Sequence, residues 1–212
     1  MIPCPVCSGG ESDDFDDLRR CHRCGHIFQF PPRIGVRYDA AYVRTYDRYP
    51  TRDMSCLRVG YLKAFLAGGR LLDIGYGNGD FLRAAQAAGF DAFGYDVHGV
   101  DCDVKEIDFA ADETAWDVVT FFDSLEHFAD FQPIRRLLDR TRHVMISLPW
   151  PPADFPARRQ WKHYKPGEHL HYFSAESLQA LIRKPKRASS NVEDMIRRGP
   201  DGCQNIYTAF FG

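Results

Sequence analysis

The chain has 212 residues, 44% hydrophobic and 26% charged, which suits one medium domain with an appendage and excludes disordered, collagen-like and low-complexity classes. A formal net charge of −2 argues against a chain built to coat nucleic acid. No apolar run approaches the ~18 residues of a membrane span, and residues 1–7 lack the basic and apolar regions of a secretory leader, so a cytoplasmic protein without a membrane partner is expected.

Four of the seven cysteines crowd the first residues, as Cys4-Pro-Val-Cys7 and Cys21-His-Arg-Cys24. Two C-x-x-C knuckles at this spacing present four thiolates to one tetrahedral zinc, and Gly25 suits the turn after the second. Disulfide pairing competes, but the expected compartment is reducing. His22 and His26 are alternative ligands. Residues 1–32 are too few to bury a core, so a structural zinc is expected to supply the folding energy of such a ribbon. Glu11, Asp13, Asp14, Asp16 and Asp17 between the knuckles make a poor surface for phosphate. Cys56, Cys102 and Cys203 stand alone and read as small hydrophobes.

Pro31-Pro32 closes the ribbon, and residues 33–68 are expected to form a helical connector. Tyr38, Tyr42, Tyr46 and Tyr49 recur there at helical spacing, a stripe expected to pack on the next domain rather than to form a lid. Residues 69–212 then alternate strand and helix. Arg70–Ile74 is a strand, Asp80–Gly89 a helix, Asp91–Asp96 and Asp117–Phe122 strands. Pro133–Arg140 follows as a helix, His143–Leu148 as a strand, a helix capped by Ser174 runs to Ile182, and Asn205–Phe211 is a last strand. This alternation implies a parallel, doubly wound α/β sheet.

Between the first strand and helix lies Asp73-Ile-Gly75-Tyr76-Gly77-Asn-Gly79, where three glycines let backbone approach a ligand that a Cβ would exclude. Twenty-one residues past Gly75, Asp96 ends the next strand, placed to accept from both ribose hydroxyls. Asp-x-Gly-x-Gly-x-Gly in this setting resembles motif I of class I S-adenosylmethionine (SAM)-dependent methyltransferases. With Trp116-Asp-Val-Val, Leu125-Glu-His127 and Glu168-His-Leu-His-Tyr-Phe-Ser174, the chain resembles zinc-ribbon-bearing Methyltransf_23-type enzymes, related to sugar C-methyltransferases and quinone-pathway O-methyltransferases. The resemblance implies a Rossmann-like sheet and SAM held by Asp73, Gly75, Tyr76, Gly77, Gly79, Asp96 and Phe122; Asp108 is the candidate for the carboxylate near the adenine, with Asp103 the alternative. It departs from the family at residues 97–116, too short for the usual helix, strand and two loops, so that layer must be abbreviated.

Asp123-Ser-Leu-Glu126-His127 follows the strand at 117–122, at the edge where open α/β sheets bind ligands. Asp123 and Glu126 also fit a helix capping box, which leaves His127 unexplained. The resemblance implies proton abstraction, with His127 as base, Glu126 as cap or orienting partner and Asp123 beside them. A metal role for the same segment is the alternative. On a helix Glu126 and His127 diverge by ~100° and are not expected to aim at one atom. The resemblance also implies that His163, His169, His171 and Tyr172 lie in the substrate wall; His169 and His171 would share one face of an extended segment, and no carboxylate spacing there supports a metal site. Basic clusters at Arg158, Arg159, Lys162 and Lys165 and at Arg183, Lys184, Lys186 and Arg187 suit a phosphorylated or carboxylated substrate. The expected activity is methylation of a small molecule; RNA methylation and a non-catalytic binding role are the alternatives. The sequence leaves the oligomeric state open.

Overall fold

Alternating apolar runs and amphipathic helices build a seven-stranded sheet in the computed structural model, which describes residues 2–35, 51–97, 103–156, 159–195 and 206–212. The tyrosine stripe, Arg158, Cys102 and Cys203 lie outside the described residues. The ribbon contributes β1 (Ser12–Phe15), β2 (Leu18–Cys21) and β3 (Ile27–Gln29). Helix α1 (Thr51–Lys63) leads into β4 (Gly69–Ile74), α2 (Asp80–Ala87) and β5 (Phe90–Tyr95). Next come β6 (Lys105–Glu106), β7 (Trp116–Phe122), a 3-10 turn at Leu125–His127, α3 (Gln132–Asp139) and β8 (Thr141–Pro149). The chain continues through β9 (His171–Tyr172), α4 (Ala175–Ile182), β10 (Lys186–Ser190), a 3-10 turn at Val192–Met195 and β11 (Ile206–Phe211).

Sheet order is β10-β11-β8-β7-β4-β5-β6. Strands β6 to β8 are parallel, while β11 runs antiparallel to β8 and β10 to β11. The sheet is therefore mixed rather than wholly parallel, because strands added at an edge need no crossover helix. Chain direction along the sheet reverses at β4 and β7, which opens a crevice at their carboxyl ends. One face is covered by residues such as Leu62, Phe81 and Leu82, the other by Ile134, Leu137 and Leu178. Residues 97–116 are abbreviated as expected: among the described residues they hold β6 and no helix.

The ribbon is not a free-standing module. Strand β9, far on in the chain, pairs with β3 and completes a four-stranded sheet, Ile27 opposite Tyr172 and Phe28 opposite His171. Cys4, Val6 and Phe28 enter the same buried cluster as Leu72 and Ile146. Two ribbon acids are paired with arginines, Asp14 with Arg19 of the ribbon at 2.7 Å and Asp17 with the distant Arg159 at 2.6 Å. Cys56 is exposed on α1, not the buried hydrophobe expected of it.

His26 and His171 are both buried at this junction and stack at 5.1 Å between ring centres. His171 Nε2 donates to the Phe128 carbonyl at 2.8 Å, so its Nδ1 accepts from His26 Nε2 at 3.0 Å. Burial pushes His171 down to about 4. An unfolded imidazole takes its proton near about 6.5, so the unfolded chain binds more protons below that pH and stability falls as pH drops towards 4. That loss is on the order of 3 kcal/mol at the acid end. Thermal melts at pH 7 and pH 5 should show it, with a flatter pH dependence in His171→Gln. An unchanged dependence in that variant would place the acid sensitivity elsewhere.

Candidate active site

The loop after β4 is shaped by backbone sterics. Gly75, Gly77 and Gly79 take φ of 85°, 58° and 76°, the left-handed region that L side chains rarely adopt. A Cβ on Gly75 would stand 2.7 Å from the Ser124 Cβ, so only glycine lets the loop close on the turn after β7. A Cβ on Gly77 would meet nothing within 4 Å among the described residues, so the backbone there faces open space between them. The Asp96 carboxylate accepts from the Gly77 amide at 3.0 Å, joining the end of β5 to the loop. Asp96 and Asp108 line one cavity of about 270 Å³ with Gly94, Tyr95, Glu106 and Ile107. The short β6 thus still brings Asp108 to the same cavity as Asp96, beside the end of β5.

Asp73 is buried beneath the loop and accepts from the Thr120 hydroxyl at 2.6 Å. Burial pushes its carboxyl up to about 7, against the pull of that hydroxyl and of Arg58. The Tyr76 ring lies against Gly94, and its hydroxyl donates to Glu106. Phe122 packs edge-on against Phe81 at 4.7 Å, beneath the Arg58 guanidinium at 4.3 Å.

The turn after β7 is pinned on both sides. The Ser124 hydroxyl donates to the Ile74 carbonyl at 2.6 Å, and the Asp123 amide to the Ser147 carbonyl at 2.8 Å. No capping box forms: Asp123 sits at φ 50° and its carboxylate accepts from Arg58 at 3.1 Å. Nor does Glu126 cap anything. It is buried, and neither carboxylate oxygen has a hydrogen-bond partner among the described residues. Burial raises its pKa well above the usual carboxylate range.

Residues 125–127 form a single 3-10 turn, and Glu126 Oε1 and His127 Nε2 lie 3.8 Å apart. The two side chains therefore share one cluster instead of diverging. His169 joins them, its ring edge-on to His127 at 4.9 Å, and one ligand atom from each of the three lies within 4.8 Å of the others. The carboxylate that spacing around the histidines did not supply comes from Glu126. His127 Nδ1 donates to the Glu168 carbonyl at 2.8 Å, which leaves Nε2 as the basic nitrogen. Burial lowers the His127 pKa, with the Glu168 carbonyl opposing, and lowers that of His169 further. Both rings are thus neutral near pH 7.

His163 stacks on His169 at 6.5 Å and stays on this wall. His171 and Tyr172 do not. The alternation of β9 and its pairing with β3 turn His171 to His26, and bury Tyr172 among Leu18, Ile27, Phe155 and Trp161. Arg58 and Glu193, paired at 2.7 Å with Glu193 buried, were not legible in the sequence. An ion pair across 135 residues carries no local pattern.

At the other end, Cys4, Cys7, Cys21 and Cys24 bring their sulfurs within 4.8 Å of one another. Cys4–Cys24 and Cys7–Cys21 are 3.8 and 3.5 Å apart, near the ~3.8 Å edge of a tetrahedron with ~2.3 Å bonds.

A glycine loop at the switch of a sheet with an antiparallel edge, and an acidic residue closing the next strand, define a class I SAM-dependent methyltransferase. Residues 46–184 match Methyltransf_23, a methyltransferase domain, and the chain belongs to that family. Among solved structures it is similar to a SAM-dependent methyltransferase from Archaeoglobus fulgidus, with TM-score 0.55, 17% identity, and 82% of this chain and 99% of that one covered. It is also similar to the magnesium protoporphyrin IX methyltransferase ChlM of Synechocystis PCC 6803 with bound S-adenosylhomocysteine (SAH), with TM-score 0.53, 16% identity and 83% and 86% covered. SAH-bound CalO1, a methyltransferase in calicheamicin biosynthesis, matches with TM-score 0.50, 19% identity and 81% and 57% covered. No curated protein matches by sequence. Among the described residues no helix is long and apolar enough to cross a membrane.

Proposed function

We propose that the protein methylates a small molecule, a sugar nucleotide, quinone-like compound or other natural-product intermediate, with His127 as general base. The observation that carries this reading is the Glu126–His127–His169 cluster one turn beyond β7, buried at Glu126 and His169 and half-buried at His127, and tied by Ser124 to the loop at Gly75. SAM, when bound, supplies a methyl group on a sulfonium that needs little help to leave. The open space before Gly77 and the cavity at Asp96 and Asp108 fit that cofactor, with Asp96 taking the ribose hydroxyls. What the chain must provide is an electron-rich acceptor. An alcohol, phenol or C–H acid at the cluster sheds its proton to His127 Nε2, which the Glu168 carbonyl leaves unprotonated. ChlM and CalO1, which the fold resembles, support a small-molecule acceptor.

Methyl-labelled SAM offered with a small-molecule metabolite extract, and separately with RNA, tests the reading. Label is expected in the small-molecule fraction. Label in RNA alone would favour an RNA methyltransferase, and failure to bind SAH a non-catalytic binding role. The orphaned Glu126 carboxylate favours one second reading, in which Glu126, His127 and His169 hold a divalent cation that activates the acceptor. In that case a chelator abolishes turnover and an added divalent metal restores it.

We further propose one structural zinc on Cys4, Cys7, Cys21 and Cys24, a closed four-thiolate site with no position for substrate. Cys24→Ser should release the metal and loosen the ribbon while leaving SAH affinity within a few-fold, since the glycine loop is held by Asp96 and packs against Ser124. Metal analysis of the purified protein checks it. A metal-free protein with an intact ribbon would refute the site.

A further inference from the structure

The ribbon is bound to the very segment that carries the acceptor wall. The Gln29 amide donates to the Leu170 carbonyl at 2.9 Å, and Gln29 Oε1 accepts from the Gly167 amide at 3.3 Å. Gln29 is buried, an unusual position for a polar side chain that pairs with nothing catalytic. The Gly35 amide, just past the ribbon, donates to the Gly167 carbonyl at 2.8 Å. Gly167 has φ 80°, and a Cβ there would stand 3.2 Å from the Gly35 nitrogen and 3.3 Å from the Arg33 carbonyl oxygen. Residues 29–35 thus clamp Gly167 on one side and Leu170 on the other.

Between those two points lies Glu168, whose carbonyl accepts from His127 Nδ1, while the Leu170 amide donates to the Glu126 carbonyl at 2.9 Å. A carbonyl only accepts, so its position decides which ring nitrogen of His127 carries the proton. We infer that Gln29 is a positioning residue: through Gly167 and Leu170 the ribbon holds the Glu168 carbonyl against His127, and so sets the tautomer that presents Nε2 to the acceptor. The inference deepens the role proposed for His127 and rests on it for its catalytic meaning, but its test needs no acceptor. It makes the ribbon part of the catalytic wall rather than an appendage. The same tautomer serves the metal reading, because ligation at Nε2 also requires the proton on Nδ1.

The test is long-range proton–nitrogen NMR of the histidine side chains at neutral pH, in the zinc-loaded full chain, with SAH titration as a control. The wild-type protein is expected to show His127 as the Nδ1–H tautomer alone. Gln29→Leu keeps the volume and removes the acceptor, so the signal should shift towards a mixture with the Nε2–H form while SAH affinity stays within a factor of two. Gln29→Glu retains an oxygen for the Gly167 amide and should restore the single tautomer. If Gln29→Leu fails to fold, Gly167→Ala displaces the same carbonyl from the other side and should give the same mixture. A folded Gln29→Leu or Gly167→Ala protein with His127 still wholly in the Nδ1–H form would overturn the inference. Normal turnover in His127→Ala would instead sink the base assignment and leave the tautomer result standing, so the two failures are separable.

Discussion

Replacing His127 with alanine is expected to lower turnover ~10²–10⁴-fold while leaving SAH affinity nearly intact. The separation follows from the two sides of the turn after β7. Ser124 faces the cofactor loop through the Ile74 carbonyl, whereas His127 faces Glu126 and His169. Burial keeps His127 below the usual imidazole range, so it is ready to accept a proton at neutral pH. The acid limb of kcat/KM should accordingly fall below about pH 6.5 and be absent from the residual activity of the variant. Steady-state kinetics on the acceptor identified by methyl labelling, together with SAH calorimetry, measures both halves. Normal turnover in the variant would exclude the base and the metal-ligand roles together.

Asp96→Ala should weaken SAH binding at least tenfold. Two charge-assisted hydrogen bonds to the ribose, each worth about 1.5–3 kcal/mol, would be lost. The structure adds a second cost. The same carboxylate holds the Gly77 amide at 3.0 Å, so its removal also frees the loop that must close on the methionine part. Asp96→Asn retains an acceptor for Gly77 and should recover part of the loss, which separates loop support from ribose recognition. Calorimetric titration of SAH into the three proteins reads the difference. Equal affinity in Asp96→Ala would mean that the ribose lies elsewhere.

Local pattern was enough for the parts of this protein that are built locally. Apolar runs ending in Asp73 and Asp96 marked β4 and β5, alternate glycines marked the turn from β4 into α2, and Ser174 marked the start of α4, where its side chain indeed accepts from the Ser177 amide. The cysteine spacing likewise brought four sulfurs to one point, because each knuckle is a short turn. Each of these depends on neighbours within a few residues, and so on chemistry written into the chain order.

What tertiary structure alone decided depends on pairings far apart in sequence. His169 and His171 stand two residues apart and suit one face of a strand. Yet β3 claims His171 for the ribbon, whereas His169, ahead of the paired residues, meets Glu126 and His127. Glu126 and Asp123 have the spacing of a cap, but the backbone at Asp123 turns left-handed and the segment closes as one 3-10 turn, which buries Glu126 and leaves Asp123 to Arg58. Gln29 reads as an ordinary ribbon residue until the segment leading into β9, far later in the chain, lies beside it. Sequence periodicity reports which way a side chain points from its own element; the partner waiting there is set by how the elements pack, because the contact energy is shared by residues that no local window contains together.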